Sequence, residues 1–396
     1  IVDWFLIEPK RLVRLVVLSV CSIVVFFQLW ECAMKLLHPP ISTHSHFDLN
    51  KTMYYPAVTF CREPGFKIEV MEKFNLSFNP GITSSWKDFP FDNYSVSDLY
   101  ETATYTKDEF FSLYALDGNS SNIETESSMH FSMGRCFTLK PKVSTEFPWK
   151  KSGYSVFLKH DELQNSEPPG FHVYLHEPRE TFTEHGILSS GRIEYLFMEA
   201  NEEIELKLTV QHFTQFRGRG SSCSDENVHS LSICSEMCRW RTVEDIVSCS
   251  GPWMTKRTTP ECNNYNDVRS LMINYKYLAD IDNNICECFE PCYSIIYSSF
   301  VMSRRPCTNG AGSRIKIYYT SKMVTNIEER PGYDFSQFVA DMGGSLGFLL
   351  GLSVIGLIVV IEKALGYFFL NKFIEEYKAK KQRKLEESIT TEKPRI

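Results

Sequence analysis

Gly343, Gly347 and Gly351 recur every four residues in Ala340-Asp-Met-Gly-Gly-Ser-Leu-Gly-Phe-Leu-Leu-Gly-Leu-Ser353. On a helix this spacing stacks the three glycines on one face, where a second backbone can approach closely. Ser353 adds a hydroxyl two residues further on. If several subunits bring such a face to one axis, carbonyls and a hydroxyl can replace the water around a cation. Gly343-Gly-Ser-Leu-Gly347 also fits the G-x-S-x-G nucleophile elbow. That chemistry needs a soluble α/β sheet and a later histidine, and no His follows His229, so a hydrolase is excluded. His44-Ser-His46 has no further ligand nearby and reads as solvated imidazoles, not a metal site.

Cysteines form the second constellation. Cys223, Cys234 and Cys238 are answered by Cys286-Glu-Cys288-Phe-Glu-Pro-Cys292. Zinc ligation is weakened by the lack of a paired C-x₂-C pattern. A nested ladder of disulfides, Cys238–Cys286, Cys234–Cys288 and Cys223–Cys292, fits the spacing. Cys234 and Cys238, four apart, share a helix face, and Cys286 and Cys288, two apart, share a face of an extended strand. Spacing makes this connectivity plausible without proving it.

The elements that must position these residues begin with two apolar segments. Leu15–Leu37 carries few polar residues and 342–370 opens with twenty uncharged ones, each length enough to cross a bilayer. Lys10, Arg11 and Arg14 precede the first; Lys372, Lys378, Lys380, Lys381, Arg383 and Lys384 follow the second. Positive flanks stay inside, so both termini are expected in the cytoplasm and 38–341 outside, as in a multi-pass plasma-membrane protein. The expected organisation is a cytoplasmic segment 1–14, spans 15–37 and 342–370, the external domain 38–341 and a basic cytoplasmic tail 371–396. The chain opens on Ile1, not Met, which reads as a fragment of something longer.

The chain has 396 residues and a net charge of −7. With +1 on 1–14, +3 on 371–396 and neutral spans, the external loop carries −11. A strongly basic nucleic-acid binder is thereby excluded, and an acidic surface of this kind concentrates cations. Eleven of the 13 cysteines lie in the loop, as expected on the oxidising side of a membrane. So do four glycosylation sequons, at Asn50, Asn75, Asn93 and Asn119.

Within the loop, Tyr54–Cys61, Cys136–Leu139, Tyr154–Leu158, Phe171–Leu175, Arg192–Glu199 and Ile204–Phe213 are aromatic and β-branched runs that predict strands of one sheet or barrel. Arg314–Thr325 predicts a single strand leading into the second span. Helices are expected over Ser97–Leu113, Ser230–Val247 and Asn266–Ala279, the last two in a disulfide-stapled subdomain over 223–292. The fold class is an α+β membrane protein: two transmembrane helices flank a large disulfide-rich extracellular domain built on a central β-sheet.

Three blocks resemble the degenerin/epithelial sodium channel/acid-sensing ion channel family, with the pickpocket-type branch most similar. They are Tyr55-Pro-Ala-Val-Thr-Phe-Cys61, the Cys223…Cys292 framework with Cys-x-Cys-x-x-Pro-Cys, and Gly343-Gly-Ser-Leu-Gly-x₃-Gly351-Leu-Ser353. The resemblance implies a homo- or heterotrimer of same-family subunits in the bilayer, with palm, thumb, finger and knuckle around the sheet. It implies a sodium-preferring, amiloride-sensitive cation channel with no cofactor beyond permeant Na⁺. It assigns the selectivity filter to Gly351, Leu352 and Ser353, and the gate to Ala340, Asp341, Gly343 and Gly344, where a bulky side chain at 340 locks such channels open. It adds disulfides Cys61–Cys136 and Cys249–Cys262, leaving Cys307, Cys21 and Cys32 unpaired.

Departures from the family pattern bear on conduction. Val359 stands where the family usually has an acid, six residues after Ser353, and the nearest acid is Glu362, beside Lys363. The cytoplasmic His-Gly and the aromatic before Cys223 are missing, and the finger is short. Two other readings share the topology: a non-conducting or cell-surface binding subunit, supported by Val359, and a two-span ATP-gated channel, opposed by the cysteine order. Protons, peptide, small ligand, force or constitutive opening all remain open as the stimulus.

Overall fold

In a computed structural model of the chain, the described residues are 9–49, 52–77, 79–146, 148–149, 151–159, 169–184, 192–217, 223–224, 230–254, 256–278, 286, 288–307 and 312–350, with 359, 362–363 and 365–367 beyond. The chain divides into two compact units, 43–330 and the pair 1–42 with 331–396.

Helix α1, Pro9–Leu37, stops before Pro39-Pro40, which have no amide N–H to donate; the last helical bond is from the His38 N–H to the Met34 carbonyl at 2.9 Å. Its stretch Ser19–Leu37 is long and apolar enough to cross a membrane. Among the described side chains of α1, those with least exposure, Cys21, Val25, Leu29, Cys32, Ala33 and Leu36, follow helical spacing. Ile23, Phe26, Phe27, Trp30 and Met34 are exposed, a pattern suited to lipid.

The unit 43–330 is built on two sheets, not the one that the strand runs suggest. In chain order the strands are β1 Ile41–Leu49, β2 Met53–Tyr54, β3 Ala57–Glu63, β4 Phe111–Leu116, β5 Ile123–His130, β6 Gly134–Pro141, β7 Ser144–Thr145, β8 Tyr154–Leu158, β9 Gly170–His176, β10 Glu194–Glu199, β11 Glu202–Thr214, β12 Cys223–Ser224, β13 Glu290–Pro291, β14 Tyr293–Pro306, β15 Ser313–Tyr319 and β16 Met323–Pro331. The larger sheet runs β1-β16-β11-β15-β8-β4, with β14 also paired to β11; the second runs β10-β9-β3-β6-β5, and β2 with β7 and β12 with β13 form two short two-stranded ribbons. Val58, Phe60, Phe137 and Val173 of the five-stranded sheet share a core with Val156, Leu206, Leu208 and Ile317 of the seven-stranded one. Burial on a shared inner face separates the strands into two layers, and period-two patterning cannot say which layer a strand joins.

Two further expectations are corrected. Arg314–Thr325 is not one strand: the chain leaves β15 at Tyr319 and re-enters as β16 at Met323, so that both lie parallel to successive stretches of β11. Ser97–Leu113 is two short helices and the start of a strand. Helix α2 is Ile68–Lys73; α3, Val96–Ala103, is followed by α4, Lys107–Phe110, and then by β4. Ser95 and Thr106 each begin a capping box, with Asp98 and Glu109 three residues on, which is why one apolar run becomes two helices.

Helices α5, Leu231–Val247, and α6, Tyr265–Leu278, pack with α2 and α3 around a second core that includes Trp86, Trp240, Trp253 and Leu271. Trp240 and Tyr275 stack face to face at 4.6 Å. Five disulfides join Cys61 to Cys136, Cys223 to Cys292, Cys234 to Cys288, Cys238 to Cys286 and Cys249 to Cys262. Cys61 and Cys136 are directly opposed across β3 and β6. Neither Cys286 nor Cys288 is on a strand, and the Cys288 N–H donates to the Cys286 carbonyl, a bond that the expected extended strand does not make. Cys21, Cys32 and Cys307 are free.

Helix α7, Phe335–Leu350, packs against α1. Asp334 caps it, accepting from the Gln337 N–H at 2.8 Å, while Gln337 Oε1 accepts from the Asp334 N–H at 3.3 Å. The Gln337 N–H also holds the Asp334 carboxyl below its usual range.

Candidate functional site

Phe338, Met342, Ser345 and Leu346 of α7 are partly covered, and they follow a helical spacing of four and three. Ala340, Asp341, Gly343, Gly344 and Gly347 lie on the remaining surface and are exposed. A Cβ added at Gly343 or Gly344 would meet nothing within 4 Å. Close packing on α1 therefore does not explain these glycines, and the face is open in a single protomer. Asp341 is held from its own unit: Tyr333 donates its hydroxyl to Asp341 Oδ2 at 3.0 Å, from a tyrosine that is 9% exposed.

Gly351, Leu352 and Ser353 lie outside the described residues. Val359 and Glu362 are helical and exposed, and Lys363 follows Glu362 on the same helix. Of the sequons, Asn50 lies outside the described residues; Asn75, Asn93 and Asn119 are all exposed. Asn75 has φ 53°, in the left-handed region that asparagine tolerates. His46 lies 3.4 Å from Asp48, and among the described residues no group of three or more His, Cys, Asp or Glu could hold a metal ion.

The ladder region holds acids that sequence reasoning missed. Glu180 sits at the N-terminus of α5. It accepts from the Ser230 hydroxyl at 2.7 Å and from the Leu231 and Ser232 amides at 3.3 and 3.4 Å, where the helix's free N–H groups favour an anion. Glu236, between the two ladder cysteines of α5, accepts from Trp240 Nε1 at 3.3 Å, and burial pushes its carboxyl up to about 7. Glu184 accepts from the Phe131 amide at 2.9 Å and the Tyr275 hydroxyl at 3.3 Å and is also raised by burial.

Glu236 and Glu180 border a cavity of about 300 Å³ that also touches His130 and His176. Burial lowers both imidazoles to about 4, so each is neutral at pH 7. Ser128 bonds one ring and Thr59 the other. No motif flags these acids; the one available signal is an odd one, an acid set between two cysteines on a helix.

Two curated proteins of Caenorhabditis elegans are similar to the chain. Degenerin del-1 is 22% identical over 305 residues, which is 64% of this chain and 44% of that protein. Degenerin deg-1 is 23% identical over 348 residues, 74% of this chain and 44% of that protein. The chain thus spans less than half the length of either relative. Among solved structures, a cryo-EM structure of a proton-activated chloride channel aligns with 89% of this chain and 97% of its own, at 8% identity and a TM-score of 0.36, too loose a match to establish fold or function. The sequence profile described as "Amiloride-sensitive sodium channel" matches residues 6–362. The chain belongs to the amiloride-sensitive sodium channel family.

Proposed function

We propose that the chain is one subunit of a trimeric, sodium-preferring and amiloride-sensitive cation channel, gated from its external domain, with both termini in the cytoplasm. The observation that carries this reading is the open face of α7, where Ala340, Gly343, Gly344 and Gly347 are exposed beside a membrane-length partner helix. A small-residue face that meets nothing in its own protomer is suited to symmetric approach of the same face from other copies. Family membership gives the chemistry that such an approach would serve.

In this reading, Gly351 and Leu352 carbonyls with the Ser353 hydroxyl replace water around Na⁺ at the narrowest point. Gly351 lets the backbone leave helical geometry at little cost. Glu362, nine residues beyond Ser353, is the candidate permeation acid nearest the position that Val359 fills, and it reaches that position only if the helix unwinds at the filter or is swapped between subunits. The disulfide-stapled helices α5 and α6 relay a stimulus from the external domain.

The test is current recorded from cells expressing the chain alone, with surface delivery measured in parallel. An inward sodium current blocked by amiloride is expected. Silence at normal surface density would favour the non-conducting subunit instead, the reading that Val359 supports.

A further inference from the structure

We propose that the external unit carries a binding site for an aryl carboxylate, an organic anion with a flat apolar body, in the groove between the β6–β7 connection and the start of β14. The groove encloses about 550 Å³ and borders Tyr54, Lys142, Arg179, His212 and Tyr293. Its volume lies within the range of small-molecule sites, about 300–1,000 Å³.

Tyr297 borders the groove and is buried; its hydroxyl and that of buried Tyr319, outside the groove, donate to the Tyr54 carbonyl at 3.4 and 2.6 Å and so fix the backbone of Tyr54. The walls are aromatic and exposed: Tyr54 is 61% and Tyr293 41% accessible, and His212 meets the Tyr293 ring edge-on at 5.7 Å. The phenol hydroxyls of Tyr54 and Tyr293 have no hydrogen-bond partner among the described residues.

Charge selects the ligand. Buried Glu177 is the groove's one carboxylate, and both its oxygens are engaged. Oε1 holds the Arg179 guanidinium, and Oε2 accepts from the Ile295 amide at 3.2 Å. Arg179 also donates from Nη2 to the Tyr293 carbonyl at 3.1 Å and lies over the Tyr293 ring, which leaves Nη1 without a partner among the described residues. Lys142 faces the groove with no ion-pair partner among those residues, its backbone anchored by a bond from its N–H to the Asn122 carbonyl at 2.8 Å. His212, half-buried, is held neutral by desolvation. The Glu177–Arg179 pair cancels, and Lys142 leaves the groove with one net positive charge. The lining tyrosines Tyr54, Tyr55, Tyr293 and Tyr297 alone could cage an organic cation, but Lys142 and Arg179 Nη1 repel one. They fit a carboxylate head, while the rings of Tyr54 and Tyr293 cover a flat body.

The test uses the full chain in lipid nanodiscs, with empty discs subtracted, and isothermal titration of three probes of one shape: 2-naphthoate, 2-naphthamide and 2-naphthylmethylammonium. The carboxylate should bind about tenfold tighter than either of the others, the step that one charge-assisted contact gives. Lys142→Gln and Tyr54→Ala should each weaken it by about fivefold or more while leaving the unfolding transition in place, since neither side chain is buried. Tighter binding of the ammonium probe would overturn the proposal in favour of a cation cage. Equal binding of all three, no binding up to millimolar probe, or binding untouched by both substitutions would also overturn it.

Discussion

At the residue scale, the acids of the helical subdomain and the histidines beside them pull in opposite directions with pH. Glu236 holds its proton up to about pH 7 when folded, whereas an exposed glutamate releases it near 4.5. Between these values the folded chain binds more protons than the unfolded one, so this group's contribution to stability falls as pH rises. His130 and His176 run the other way. Their folded values of about 4 lie below the ordinary 6.5, so their contribution is full above 6.5 and declines as pH falls toward 4. In chemical denaturation followed from pH 4.5 to 7, Glu236→Gln should remove a loss of stability on the alkaline side and leave the histidine-driven rise. An unchanged pH profile in the variant would show that Glu236 titrates as a solvated carboxylate. Glu236 and Glu244 are both buried on α5, and local sequence does not say which is satisfied: Glu244 accepts from the Thr258 amide and hydroxyl, brought in from beyond the helix, whereas Glu236 has the Trp240 indole of its own helix and the wall of the cavity.

At the scale of elements, two rungs tie α5 to the short segment ending in β13. The Cys234 and Cys288 Cα atoms are 5.8 Å apart, and those of Cys238 and Cys286 are 6.0 Å apart. Removing one disulfide from a secreted domain typically costs ~2–5 kcal/mol. Cys234→Ser should therefore lower surface delivery or the unfolding midpoint, and Cys288→Ser on top of it should add little, because the same bond is already gone. Clearly additive losses would count against the Cys234–Cys288 bond. The four-residue spacing on the helix was readable in advance because helical geometry is local. The bond between the Cys288 N–H and the Cys286 carbonyl was not, because a spacing of two in sequence does not fix whether the segment pairs as a strand.

At the scale of the whole molecule, the question is what covers α7. Ala340 is exposed in the protomer, so a larger side chain there should not disturb the fold of one chain. If a closed assembly brings this face to itself, Ala340→Phe should hold the pore open by steric overlap. Resting current should then rise severalfold over wild type at equal surface density, with amiloride as the control. An unchanged resting current would place Ala340 away from any closing seam.

Much of this protein was set by local pattern alone. The apolar run Leu15–Leu37, the proline stop after it, the helix limits at Ser230 and Val247, and the strands β3, β6, β8, β9, β10 and β11 follow from spacing, caps and side-chain type, all short-range properties, whereas β1, β5 and β14 carried no such pattern. Cysteine spacing narrowed the ladder, and three motif blocks carried the family. Tertiary structure alone decided that the strands form two sheets sharing one core, that Tyr319 and Met323 begin and end a break, and that Lys142 and Arg179 meet a wall of tyrosines. Each of these depends on which distant segment covers a given face. A two-residue or four-residue period records that a face is buried but not what buries it, and so the layers, the raised carboxyl of Glu236 and the charged groove had to come from the folded chain.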